Sequence, residues 1–103
     1  MGEKEIYLMM SLEEGYYKIG ISKNPKKRLK QLQTGSSSDL QLIDTYKTSR
    51  YSIIEKSLHR IYSHGLKRGE WFDLNIEEVN NFKNNCKIFE KNIELIEQNN
   101  DFF

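Results

Sequence analysis

Apolar and polar positions change rhythm several times along the chain, and each rhythm predicts an element. Residues 5–10 (EIYLMM) form an almost wholly apolar run of strand length. After a polar connection ending at Gly15, residues 16–22 (YYKIGIS) read as a second strand, antiparallel to the first through a hairpin. Gly20 within it marks a close backbone approach or a bulge. Asn24 followed by Pro25 has the order of a helix start, cap then proline, so a helix is expected to run to residue 33 and stop at Gly35. Its Leu29 and Leu32 would turn to the core while its lysines face water. Residues 40–48 (LQLIDTYKT) alternate, as a third strand with one covered face does.

The second half of the chain is mainly helical in period. Ser49 is placed to cap a helix over residues 50–63, with Ile54, Leu58, Ile61 and Tyr62 as its apolar stripe. A loop holding Gly65 and Gly69 leads to the short segment 70–74 (EWFDL). Asn75 then caps a final helix over residues 76–98, where Val79, Phe82, Cys86, Phe89, Ile93 and Ile96 recur at intervals of three and four. The Phe102-Phe103 end is either frayed or packed on a neighbour. The order β-β-α-β-α, a short β segment and a C-terminal helix predicts an α+β fold. A small antiparallel or mixed three-stranded sheet would be covered by helices in one domain over residues 1–103.

Composition narrows the class. One modest core suits a chain of 103 residues, and no apolar run reaches the length of about 20 residues needed to cross a bilayer, so no membrane partner is expected. The polar start lacks the features of a secretory signal. The single cysteine, Cys86, has no partner for a disulfide, and with only His59 and His64 it makes a poor zinc set. Both points suggest an intracellular setting.

Charge adds an asymmetry that the net value of +1 hides. Residues 1–72 hold 13 Lys or Arg against 8 Asp or Glu, whereas residues 73–103 hold 3 against 7. Residues 15–38 carry Lys18, Lys23, Lys26, Lys27, Arg28 and Lys30 and no acid at all. A phosphate-binding surface has this composition, and so does an ordinary solvated helix face.

Order and spacing make the reading specific. Tyr7 stands in the first strand within Glu5-Ile6-Tyr7, Lys18-Ile19-Gly20 follows eleven residues later, Arg28 ten after that, and Glu55 lies in the second helix. In these features the chain resembles the GIY-YIG nucleases over roughly residues 5–74. The stretches YYKIGIS, NPKKRLKQLQTG, EKSLH and GEWF are closest to a phage-encoded branch often catalogued as a DNA-binding domain. In that branch Lys commonly replaces the second motif tyrosine, as Lys18 does here. Two further departures are Leu32, where many members have His or Tyr, and Glu70, where many have Asn.

The resemblance implies metal-dependent hydrolysis of DNA phosphodiesters, with Mg²⁺ or Mn²⁺ as the ion. Glu55 is then the metal ligand, Arg28 the clamp on the scissile phosphate, and Tyr7 the group that orients or activates water. Lys18 either contacts phosphate or, with a lowered pKa, acts as a base. Tyr16, on the same strand face as Lys18, could supply the lost hydroxyl, while Tyr17 on the opposite face packs. His59, one turn beyond Glu55, supports the site. Glu70 is either a second metal carboxylate or a residue that caps and orients its loop. Lys23, Lys26, Lys27 and Lys30 form the nucleic-acid rim. These roles require Tyr7, Lys18, Arg28 and Glu55 to converge on one groove. The alternatives are a DNA-binding module of the same fold that does not cut, and a small phage or host protein-interaction factor. For the last, the acidic, amphipathic final helix is the docking or dimerisation surface, for a second copy or another protein.

Overall fold

In a computed structural model, which describes residues 2–99, the first two apolar runs pair as strands β1 (Lys4–Ser11) and β2 (Tyr17–Ser22). They are antiparallel, with Tyr7 opposite Gly20 and Met9 opposite Lys18. Strand alternation sorts their side chains. Ile6, Leu8, Tyr17 and Ile19 enter the main apolar core, leaving Tyr7, Lys18 and Gly20 on the other face. Strand β3 (Leu40–Thr48) joins the far side of β1, also antiparallel, with a register shift beside Leu8 and Met9.

The fold is α+β, but the sheet has five strands where three were expected. Gly69 adopts φ 53°, a left-handed turn that reverses the chain and makes a hairpin of β4 (Leu66–Arg68) and β5 (Trp71–Phe72). Strand β5 pairs with β2, giving the antiparallel order β3-β1-β2-β5-β4. Alternating apolar residues are too few in this segment for periodicity to reveal the hairpin.

Helix α1 (Pro25–Thr34) begins as its sequence predicts, with the Asn24 side chain accepting from the Lys27 N–H at 3.1 Å, and its C-terminal cap is Gly35. Helix α2 (Tyr51–Ile61) departs from expectation at its start. Ser49 does not cap it; the Thr48 hydroxyl, buried at the end of β3, accepts from the Arg50 N–H at 2.9 Å. Ile54 and Leu58 enter the core, but Ile61 faces solvent and a 3-10 turn (Ser63–Gly65) follows.

The single final helix expected over residues 76–98 is two helices, α3 (Ile76–Asn80) and α4 (Phe82–Gln98). The helix is interrupted at Asn81, between Val79 and Phe82, which are both buried. Asn75 caps α3 in a reciprocal box. Its side chain accepts from the Glu78 N–H at 2.9 Å, and the Glu78 carboxylate accepts from the Asn75 N–H at 3.0 Å. Asn75→Ala should therefore cost about 1 kcal/mol in urea unfolding.

The inward stripe of α4 is spent on this domain's own core. Phe82 and Cys86 are fully buried, and Phe89 and Ile93 pack beside them. Tyr46 and Thr48 of β3 donate to the Glu90 carboxylate at 2.7 and 3.0 Å, fixing the helix on the sheet. Ile96, expected within the stripe, is 63% exposed. The Phe102-Phe103 end lies outside the described residues. Burial pushes the Cys86 thiol up to about 12. Its thiolate fraction near neutral pH thus falls about a thousandfold, and alkylation by iodoacetamide should be slow until denaturant is added. No helix among the described residues is long and apolar enough to cross a membrane.

Candidate nucleic-acid site

A strand that stops early creates the site. Strand β5 pairs with β2 only at Tyr17 and Lys18, so the edge of β2 is open beyond Ile19. The Ile19 N–H donates to the Glu70 carbonyl at 3.1 Å, and the Ile19 carbonyl accepts from His59 Nε2 at 3.0 Å. Side chains from both faces of the sheet reach this edge. Helix α2 sends Glu55 and His59 from the core side, one turn apart, and the β4–β5 turn sends Glu70. A ligand atom from each of Glu55, His59 and Glu70 lies within 4.8 Å of the others. Lys18 Nζ approaches Glu70 Oε1 to 3.2 Å and sits 5.6 Å above the Trp71 ring.

From the other face comes Tyr7. Its ring lies over Gly20, where an added Cβ would fall inside the phenol's van der Waals envelope. This is the close approach that a glycine in β2 implied. Gly20→Ala should cost about 1–3 kcal/mol by overpacking and move the Tyr7 hydroxyl, both readable by thermal melting and by the tyrosine ring signals in NMR. Burial raises the Tyr7 pKa above its ordinary value. The Arg28 guanidinium opposes that rise through a hydrogen bond and its charge, while Glu70 and Glu55 add to it. Tyr7, Lys18, Arg28, Glu55, His59 and Glu70 therefore share one electrostatic neighbourhood.

Not every expected residue joins them. Tyr16 precedes β2, and its ring lies 5.4 Å beneath the Lys67 ammonium, so the structure does not bring it into the group. Lys26, Lys27 and Lys30 of α1 and Lys23 just before it are exposed, without a carboxylate partner among the described residues. Helix α1 has no acid in its first turn; Lys26, Lys27 and Arg28 stand there instead. Cations at the positive end of a helix dipole oppose its stability, and a bound anion relieves that opposition.

The family model of the T5orf172 domain matches residues 5–92. The chain belongs to this family. T5orf172 domains are phage-associated, DNA-binding or nuclease-like, and related to GIY-YIG-type folds. No curated protein and no solved structure matches the chain. The match runs past the six clustered residues and takes in most of α4, so the T5orf172 domain includes the helix that closes the core as well as the site.

Within this T5orf172 domain, burial raises the Glu55 pKa, and the neighbouring Glu70 charge raises it further; His59, Lys18 and Lys56 pull the other way. Two carboxylates crowded together at a half-buried edge are unfavourable alone and are relieved by a cation. Their oxygens are the donors that Mg²⁺ and Mn²⁺ accept, so the residues fit such an ion. Two contributors had no signal in the sequence. The Ile19 carbonyl holds His59, and the Phe72 ring meets the His59 ring edge-on at 4.9 Å between centroids. A backbone acceptor carries no residue-type signature, and Phe72 reads as a core anchor, which it also is.

Proposed function

We propose that this domain is a metal-dependent DNA endonuclease with a GIY-YIG-type site. The observation that carries the reading is the convergence of Tyr7, Lys18, Arg28, Glu55, His59 and Glu70 on the open edge of β2. Glu55 and Glu70 would hold Mg²⁺ or Mn²⁺, which when bound offsets charge on the phosphate and makes its water a better nucleophile. Arg28 presents a planar fork to two phosphate oxygens as negative charge grows on them. Tyr7 keeps its proton, because its pKa is raised, and so orients the attacking water by hydrogen bonding instead of deprotonating it. Lys18 remains ion-paired with Glu70 until a phosphate offers it a second anion. Water attacks phosphorus, the phosphorus–oxygen bond to the leaving nucleotide breaks, and the products are a phosphate monoester and a free hydroxyl.

The bound strand has a place to lie. A cleft of about 350 Å³ adjoins Lys18, lined by Trp71, Arg68, Leu32, Ser36 and Ser37 among others. The free lysines of α1 supply salt-sensitive attraction for phosphates on either side.

A second reading, a DNA-binding module that does not cut, is favoured by the Lys18–Glu70 pair, because it already neutralises one carboxylate. Supercoiled plasmid incubated with Mg²⁺ or Mn²⁺ separates the two. Nicking that stops with EDTA and in Glu55→Ala is the expected result. A salt-sensitive gel shift that survives Glu55→Ala, with no nicking by the wild type, would establish the second reading instead.

A further inference from the structure

The ring of His59 is held on two sides. Its Nε2 faces the Ile19 carbonyl at 3.0 Å, and its edge meets Phe72 with the ring planes at 71°. A carbonyl oxygen can only accept, so Nε2 carries the proton and the remaining lone pair of the neutral ring is on Nδ1. A histidine that binds a metal through one nitrogen usually donates its other N–H to a carbonyl or carboxylate, which fixes both tautomer and orientation. His59 already has that support, and it lies one turn from Glu55 on the same face of α2. Lys18 engages Oε1 of Glu70, leaving that carboxylate a second oxygen.

We infer that His59 is a metal ligand through Nδ1, forming with Glu55 and Glu70 a one-histidine, two-carboxylate set that selects Mn²⁺ or a similar transition ion over Mg²⁺. The inference rests on the reading of this edge as a cation site and names the ion it takes. Mg²⁺ is hard, prefers oxygen and gives up its waters reluctantly. Imidazole nitrogen adds little for it, whereas Mn²⁺ and the ions after it in the first transition row bind nitrogen increasingly well. A donor set with oxygens alone would leave the two ions nearly equivalent. Donor atoms of the three residues lie within 4.8 Å of one another, against a cis ligand spacing of roughly 3 Å around such an ion, so small side-chain rotations bring them into range.

The test is electron paramagnetic resonance on the full chain without DNA. Mn²⁺ is titrated in and its free signal followed, alone and against excess Mg²⁺, and pulsed measurements then look for ¹⁴N coupling to the bound ion. Mn²⁺ should bind at a concentration about tenfold below Mg²⁺. Nitrogen coupling should be present in the wild type and in His64→Asn but absent from His59→Asn, which should also weaken Mn²⁺ about tenfold or more. Should His59→Asn fail to fold, the coupling in the wild type and in His64→Asn still decides. Mn²⁺ bound through Glu55 without nitrogen coupling would overturn the role of His59 and leave the nuclease reading standing. Neither ion binding into the millimolar range would overturn the cation site itself, and the nuclease reading with it.

Discussion

Arg28→Ala should lower DNA cleavage by about 10²–10³-fold, the usual effect of removing one donor aimed at the charge that develops in the transition state. Little else should change. Arg28 is exposed in the first turn of α1, where besides Tyr7 its guanidinium reaches Gln31 at 3.5 Å. The melting temperature should therefore stay close to that of the wild type. Arg28→Lys keeps the charge but loses the planar fork, and should recover only a minor part of the rate. The Tyr7 pKa should rise in Arg28→Ala, because the opposing hydrogen bond and charge are gone while burial and the two carboxylates remain. Single-turnover cleavage at saturating protein measures the first effect. A wild-type rate in Arg28→Ala would remove the guanidinium from the mechanism.

Phe72→Ala should have the largest effect on stability, about 3–5 kcal/mol, within the range for truncating a buried aromatic. The ring is 1% exposed and meets both His59 and Tyr62 edge-on, so its loss opens a cavity and frees the His59 ring together. A domain of this size has about 5–15 kcal/mol to lose, so the variant should be partly unfolded at moderate urea. Phe72→Leu fills much of the volume and should recover roughly half the loss, without restoring the edge-on contact that orients His59. Urea unfolding followed by tryptophan fluorescence gives the numbers. A cost below about 1 kcal/mol would mean that His59 and Tyr62 repack without this ring.

The sequence made local elements legible where one residue type has one use. Asn24-Pro25 and Asn75 begin helices because a short polar side chain can satisfy free N–H groups at those positions. The first hairpin follows from two runs of strand length joined at Gly15, and β3 from alternation. Of the β4–β5 hairpin only β5 was legible, as the short β segment over residues 70–74; β4 is too short for a period, and the pairing depends on β2, far away in sequence. The break at Asn81 was missed because the apolar stripe continues across it; interruption and continuity differ only in the backbone. For the site, order and spacing located Tyr7, Lys18, Arg28 and Glu55, while tertiary position was needed to separate Tyr16 from Lys18 and to bring Glu70 beside His59. Only the folded edge of β2 shows that one nitrogen of His59 is committed to a backbone carbonyl.

The placement of Tyr7 over Gly20 has a kinetic consequence. Its ring packs against the Gly20 backbone of the neighbouring strand, so it is the fixed side of the site. Arg28 rides on a helix whose one buried residue is Pro25, with Leu29 and Leu32 only half covered. The Gln33 side chain nevertheless fastens the end of that helix to Ser38 and Leu40, at 2.9 and 2.8 Å. How quickly the site closes on a strand should then be set by the ordering of the exposed Arg28 side chain against a tyrosine that is already in place.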